Sequence, residues 1–432
     1  MTVELTPLQL PPSADPSHFV DFGREVKGVN PGELTPTQFA EIHDALYKVS
    51  SPINLICRDS STFFVDNEYV LPHQHGALLF RNASLTPEQQ YAFTKVIPFP
   101  FHGLLTAFDL QSETYGHGNN KTESTKKSIL RYIKSITRVP QVQLIGNGAV
   151  TDHEGLATTV LKHPSHTTFH NTRISEEDEA KGYTRFCRWH IDAALYEYEP
   201  SRVTTLYGIT VPKGDRQTVR YDDGTGDELS VPLAPTAFVS GKTMFKILPP
   251  ELKNLAVRAS VRYAPHPYVW MAPARALPTG LGIEGVGLEV PVRELPDWEE
   301  SKVKTYPVLW KNPVTGDLHF QVHSWAAREL IVDPLPRGAE RGGVLYPDGV
   351  YIKDLAEVRA LLYKMQRPGI APHLVYPHDW RDKDLILFHN RGLMHSVVGA
   401  LEPDQTRVFH QCNLAASDAP AGPTEDDIFK WT

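Results

Sequence analysis

Cysteine is scarce in this chain. Cys57, Cys187 and Cys412 are the only three in 432 residues, far apart and odd in number. That argues against a disulfide framework or a cysteine-built zinc site and suits a reducing compartment, with the cytoplasm as the expected location. Long apolar runs are missing too. No stretch approaches the roughly 18 apolar residues of a membrane-spanning helix, so no membrane is expected as a partner. The first residues are acidic and proline-rich rather than basic and then apolar, which argues against a secretory signal. Positive charge is nowhere concentrated and the formal net charge is −8, so nucleic acid is not expected either. No internal repeat is detectable. With 41% hydrophobic residues, the chain can bury a substantial core.

Residues 1–34, rich in Pro, Gly and Asp, read as an arm that wraps or frays. Residues 35–432 read as a single domain with an inserted segment at about 240–380. Thr35-Pro36-Thr37-Gln38 has the composition of a helix start, with Thr as cap, Pro in the first position and Gln three residues after the cap. Leu85-Thr-Pro-Glu-Gln89 repeats that design. Gly76–Arg81 reads as a strand, and the polar 110–127 segment as a mobile loop. From about residue 140 the pattern is mostly β. Runs at Gln141–Ile145, Val203–Val211, Val231–Val239, Val257–Tyr263, Leu385–Phe388 and Arg407–Asn413 are separated mainly by Pro and Gly. A helix is expected over Asp354–Gln366, ending at Arg367-Pro368. Gly280-Leu-Gly282-Ile-Glu-Gly285 matches a dinucleotide fingerprint, but neither a strand before it nor a helix after it supports that use.

His190-Ile191-Asp192 is the most informative feature. It closes an extended segment, Thr184–Asp192, in which residues two apart face the same way. A nitrogen and a hard oxygen donor on one face suit divalent iron. One further histidine would complete a 2-His-1-carboxylate set with open positions. His389 and His395 compete for that place. His163, His166 and His170 have helical spacing, but Pro164 and the β-branched neighbours suggest loop or pocket lining instead. Arg407, Phe409, Gln411 and Asn413 share one face of the last strand. If that face is buried, it is a polar site in which Arg407 offers bidentate recognition of a carboxylate.

His190-x-Asp192, then Asn390-Arg391-x-x-x-His395, then an arginine twelve residues on, resemble the Fe(II)/2-oxoglutarate-dependent dioxygenases of the taurine and 2,4-D dioxygenase type. Arg81 and Leu85–Gln90 resemble that group's N-terminal segment, and the likeness spans about residues 70–415. One departure is His389, where the family has Asp before Asn-Arg. The segments Arg188–Tyr196, Tyr221–Leu229, Tyr263–Trp270, His389–Gly392 and Gln411–Asn413 look like the fungal xanthine-hydroxylating branch in particular.

The resemblance implies a mainly β fold with helices: a double-stranded β-helix (jelly roll) with helices packed outside and a long insertion between the metal-binding strands. It implies Fe(II) on His190, Asp192 and His395, with 2-oxoglutarate and O₂ as co-substrates. The distal carboxylate of 2-oxoglutarate would meet Arg407 and Thr218, the latter 26 residues after Asp192. Xanthine would be hydroxylated at C8 to uric acid with release of succinate and CO₂, as in purine catabolism. Its contacts would come from Gln141, Gln143, Lys162, Glu177, Asp178, Gln411 and Asn413.

A flat purine edged with N–H and C=O groups suits Gln and Asn, which offer both donors and acceptors. Phe101, Tyr115, Tyr196 and Phe409 are candidate stacking partners. Without the resemblance, Lys162, Glu177 and Asp178 read as loop charges in water. Two readings compete with the xanthine hydroxylase: the same iron chemistry on another small metabolite, and a non-catalytic β-sandwich that turns over no 2-oxoglutarate. The oligomeric state stays open between monomer and homo-oligomer.

Overall fold

The computed structural model describes residues 2–47, 75–95 and 133–432. Cys57, Phe101, Tyr115 and the 110–127 segment lie outside the described residues. The fold is mostly β with helices. Its main sheet runs Glu4–Pro7, Arg24–Lys27, Ala77–Phe80, Asp384–His389, Val203–Thr210, Arg407–Asn413, Val139–Val150 and Lys134–Ile136. Thr159–Leu161 pairs with the end of Val139–Val150. The pairing is antiparallel except where Arg24–Lys27 joins Ala77–Phe80. Residues 2–34 therefore do not fray throughout: two short strands extend the sheet edge. Their composition hides this because edge pairing draws on backbone N–H and C=O groups rather than on side chains.

Period-two alternation divides the sheet's two faces. In Asp384–His389, Leu385 and Leu387 join the outer cluster, whereas Ile386 and Phe388 face inward. The outer face is covered by helix Pro36–Tyr47 through Ile42, Ala45, Leu46 and Tyr47, and by helix Pro87–Lys95. Both helices start as the sequence predicts. Thr35 N–H donates to Gln38 Oε1 (3.0 Å) while Gln38 N–H donates to Thr35 Oγ1 (3.3 Å), and Thr86 and Gln89 repeat the exchange.

The inner face meets a three-stranded sheet of Tyr376–His378, Thr236–Ser240 and Leu393–Val397. Phe238 packs edge-on against Phe388 with ring centroids 5.2 Å apart, which locks the two sheets face to face. Between Ser240 and Tyr376 the chain builds a further layer. It contains helices Gly241–Lys246, Pro250–Arg258 and Leu355–Gln366 and a sheet of Thr305–Pro307, Ala259–Tyr263, Ala327–Val332 and Val350–Ile352. Asp354 caps the last of these helices, as its sequence suggests.

Three expectations need revision. The Val231–Val239 run is two strands, Glu228–Val231 and Thr236–Ser240, broken where Ala234 takes a φ of 49° between Pro232 and Pro235. Val257 and Arg258 end a helix before the strand begins at Ala259. Most of Thr184–Asp192 is extended chain held by isolated bridges rather than a regular strand.

The interior holds many histidines kept neutral by burial. Burial pushes His163 and His410 down to about 3 and His319 down to about 4, from an ordinary 6.5. The unfolded chain protonates these side chains below about 6.5, whereas the folded chain does not. Proton uptake thus favours the unfolded state as pH falls from 6.5 towards 4. Urea denaturation of the metal-free protein should show a lower midpoint at pH 5.5 than at 7.5. An equal or higher midpoint at 5.5 would contradict this burial.

Candidate metal centre

His190 and His395 sit opposite each other on neighbouring extended segments. Their backbones exchange two hydrogen bonds, His190 N–H to the His395 carbonyl (2.9 Å) and His395 N–H to the His190 carbonyl (3.0 Å). Opposed residues on antiparallel chains project to the same side, and the two imidazole centroids lie 4.1 Å apart. The alternate residues Trp189 and Ile191 go into the large core beneath, so Arg188, His190 and Asp192 are left facing one cavity. Asp192 Oδ1 is 4.0 Å from His190 Nε2 and 3.8 Å from His395 Nε2. One ligand atom from each of the three residues lies within 4.8 Å of the others.

Neighbouring groups fix each ligand. His190 Nδ1 lies 2.9 Å from the Arg188 carbonyl, which can only accept, so the proton sits on Nδ1 and Nε2 keeps its lone pair for a metal. Burial, and after it the neighbouring His395, holds the His190 imidazole well below its usual pKa, so it stays neutral as a ligand must. The Asp192 carboxylate is 1% exposed. It accepts from Thr204 Oγ1 at 2.8 Å and from Gln411 Nε2 at 3.1 and 3.3 Å. Asn390 clamps the same residue's backbone: its Oδ1 accepts from Asp192 N–H (2.9 Å) and its Nδ2 donates to the Asp192 carbonyl (2.8 Å).

His389 is not in this group. It shares the outer face of its strand with Leu385 and Leu387 and packs edge-on against Tyr47 at 5.1 Å and His319 at 6.0 Å. The turn after Asn390 delivers His395 to the cavity instead. Of the three other histidines, His163 lines the cavity with Nε2 3.2 Å from the Gly399 carbonyl, while His166 and His170 are buried behind it.

The cavity holds about 680 Å³. Arg407 reaches it from the last strand, 3% exposed and stacked 3.8 Å over the Phe409 ring. Arg407, Phe409 and Gln411 face inward as their alternation predicts, and Asn413 follows on the same side, fully buried. Arg407 forms no ion pair among the described residues and its buried Nε has no hydrogen-bond partner. Burial alone lowers its pKa, to about 10. A buried cation without an anion is costly unless a ligand supplies one. Two imidazole nitrogens and a hard carboxylate suit divalent iron, and the uncompensated Arg407 suits a carboxylate-bearing co-substrate in the same cavity.

The expected contacts divide. Lys162 and Gln411 line the cavity. Gln143 is buried and registers with Gln411 on the next strand, with Gln141 two residues before it and half-buried. Neither is among the residues that line the cavity, nor is Asn413. Glu177 and Asp178 lie on helix Glu176–Ala180, away from it. The Glu177 side chain is 80% exposed and pairs with Lys181 at 2.7 Å, and Asp178 pairs with Arg220 at 2.8 Å. Tyr196 packs at a tilt against His266, ring centroids 4.4 Å apart, and is not among the residues that line the cavity.

Thr218 does not reach the cavity either. It lies in Gln217–Arg220, paired with Ser230 and Tyr183 in a separate small sheet. Thr236 lines the cavity, on the strand that pairs with Leu393–Val397. Counting residues along the chain picks the wrong threonine because the Gln217–Val231 hairpin intervenes before the strand that reaches the site. Thr236, which lines the cavity, and Thr204, which holds Asp192, are two polar groups at the site that sequence reasoning missed. Their signal was only alternation within otherwise apolar strands.

Gly280, in the rejected dinucleotide-like run, has a φ of +71°, and a Cβ there would meet the Phe186 carbonyl at 2.7 Å. Its own carbonyl accepts from Trp189 N–H at 3.0 Å, so this loop braces the metal-binding segment.

Two histidines and one carboxylate facing an open cavity define a protein built to hold a hard divalent metal with free positions for further ligands. Comparison with known proteins gives its family. Residues 68–413 match the taurine catabolism dioxygenase TauD, TfdA family, and the chain belongs to it. It is 46% identical to an alpha-ketoglutarate-dependent xanthine dioxygenase of Schizosaccharomyces pombe over 98% of this chain and 91% of that protein. It is 45% identical to an alpha-ketoglutarate-dependent xanthine dioxygenase of Emericella nidulans over 92% of this chain and 94% of that protein. A solved structure of a candidate alpha-ketoglutarate-dependent taurine dioxygenase from Burkholderia xenovorans shares the fold, with a TM-score of 0.50 and 16% identity over 98% of this chain and 92% of that one.

Asp192→Ala removes the only carboxylate of the ligand group. Iron content after reconstitution, measured by metal analysis, should fall at least about tenfold and turnover should vanish. Full iron content and activity in that variant would rule out this ligand set.

Proposed function

We propose that this chain is an Fe(II)- and 2-oxoglutarate-dependent dioxygenase that hydroxylates xanthine at C8, giving uric acid, succinate and CO₂. The co-substrate reading is carried by Arg407, a buried cation beside the ligand triad with no anion of its own. The substrate reading is supported by the xanthine dioxygenases that are 45–46% identical over most of the chain. The two face-packed sheets read as a double-stranded β-helix, with the metal site between them. The two described cysteines, Cys187 and Cys412, are free and buried, which suits a cytoplasmic enzyme. No helix of the described residues is long and apolar enough to cross a membrane.

His190, Asp192 and His395 hold the iron. When bound, iron and 2-oxoglutarate supply the oxidative decarboxylation that yields succinate, CO₂ and the oxidising equivalent for a substrate C–H bond. Arg407 pairs with the distal carboxylate of 2-oxoglutarate, and Thr236, whose Oγ1 accepts from Trp380 Nε1 at 3.2 Å, lines the same cavity. Thr204 and Gln411 hold the Asp192 carboxylate in one orientation, so the ligand geometry is set before any substrate enters. Gln411 thus acts through Asp192 and, with Lys162 at the rim, borders the substrate space. Trp325, Tyr268 and Phe169 wall the cavity with rings, which limits water around the reacting C–H bond.

Anaerobic reconstitution with Fe(II) and 2-oxoglutarate, then air and xanthine, should give succinate and urate in equal amounts. Succinate without urate would keep the iron chemistry and remove xanthine in favour of another small metabolite. Thr236→Val should raise the KM for 2-oxoglutarate by roughly fivefold to tenfold, the loss of one hydrogen bond. Thr218→Val should leave that KM unchanged, and the reverse pattern would return the role to Thr218.

A further inference from the structure

Arg407 is not the only uncompensated cation in the cavity. Four cationic side chains line it, Lys162, Arg188, Arg275 and Arg407, against one carboxylate, Asp192, which the iron takes. Lys162 is exposed at the rim. Arg275 spends an Nη1 on the carbonyls of Pro273 and Ala274, at 3.1 and 3.3 Å. Arg407 is matched by the co-substrate. Arg188 remains, and it stands two residues before His190 on the same face of the extended segment. That places its Cα roughly 7 Å from that of a metal ligand.

The Arg188 guanidinium is held between two rings, with its carbon 5.1 Å from the Phe169 centroid and 4.9 Å from the Trp325 centroid. Its Nε is buried without a hydrogen-bond partner, and it forms no ion pair among the described residues. Its charge does not structure the ligand triad. The link to His190 runs through the Arg188 backbone carbonyl, which any side chain would leave in place. A planar donor fork fixed by stacking has already lost most of its rotamer freedom, so little is lost when it meets a flat acceptor edge. Such a fork matches two adjacent acceptors on a heterocycle, as arginine matches O6 and N7 of guanine in DNA. On free xanthine the acceptor pair beside C8 is N9 with the deprotonated N3.

We propose that Arg188 is a specificity-determining residue: its guanidinium receives the electron-rich edge of the purine that flanks C8, orienting that C–H bond towards the iron ligands. This rests on the xanthine reading above and adds to it the residue that reads the ring. A neutral or apolar ring of the same size gains nothing from the fork and leaves it unpaired. The site therefore selects a flat heterocycle with paired acceptors rather than any small molecule that fits.

The test uses the reconstituted holoenzyme with Arg188→Gln and Arg188→Lys. Loss of a charge-assisted, two-pronged contact should raise the KM for xanthine roughly tenfold to a hundredfold in Arg188→Gln. Arg188→Lys, which keeps the stem and charge but not the fork, should fall between that variant and the unsubstituted enzyme. The KM for 2-oxoglutarate and the iron content should stay within about twofold in both. Equilibrium dialysis of xanthine against the anaerobic Fe(II)/2-oxoglutarate enzyme should show the same loss without any turnover. Unchanged xanthine binding in either variant would overturn the inference. So would a parallel rise in the KM for 2-oxoglutarate, which would make Arg188 a co-substrate residue. If Arg188→Gln does not fold, Arg188→Lys with unchanged xanthine affinity overturns it by itself. An unsubstituted enzyme that makes succinate but no urate removes the xanthine reading, and this inference falls with it.

Discussion

The site depends on one pair of backbone hydrogen bonds, those exchanged by His190 and His395. They join two extended segments about 200 residues apart in sequence and put both imidazoles on one side. Asn390 adds a second clasp five residues before His395, gripping the Asp192 backbone through both ends of its amide. The three ligands are thereby fixed relative to one another by main-chain pairing and one amide, before any metal contributes. Loosening either clasp would let Asp192 drift from the histidines without disturbing the sheets around them.

Electrostatics around that frame is lopsided. His190 is neutral because burial disfavours its charged form, and the buried Arg407 and the ring-clamped Arg188 lack carboxylates of their own. Away from the cavity, Arg185 pairs with Asp222, Arg367 with Asp223 and Asp227, and Arg391 with Asp418, while Arg258 is met by Asn254 and backbone carbonyls. The contrast separates structural charge from charge kept for ligands. Leaving Arg407 and Arg188 without a carboxylate where the cavity meets them sacrifices stability there for binding.

The layers outside the cavity act indirectly. The helix from Pro36 to Tyr47 and its partner over Pro87–Lys95 cover the outer face of the main sheet, and Tyr47 occupies His389 on that side. The segment between Ser240 and Tyr376 supplies Tyr268, Met271 and Trp325 to the cavity wall and the Gly280 loop behind the ligand segment. The segment expected as an insertion therefore supplies part of the pocket wall, and it shares one core cluster with Phe186, Trp189 and Ile191 of the ligand segment.

How much was legible varied with the range of the interaction. Helix starts at Thr35 and Thr86, the cap at Asp354, and the inward face of Arg407, Phe409 and Gln411 were readable because capping and alternation are local. The short strands at Glu4–Pro7 and Arg24–Lys27 were not, since edge pairing leaves little mark on side chains. The metal ligands were legible as a short His-x-Asp pattern with two rival histidines. The residues alone left His389 and His395 as rivals and the resemblance favoured His395; in the fold His389 packs against Tyr47, while the turn after Asn390 brings His395 to the cavity. Thr236 rather than Thr218 was decided likewise, by an intervening hairpin that no spacing along the chain reveals. The sequence by itself determined which chemistry was available: two histidines, a carboxylate and an arginine on the last strand. Tertiary structure alone decided which of those groups share one space, because that rests on backbone pairing between segments far apart in the chain.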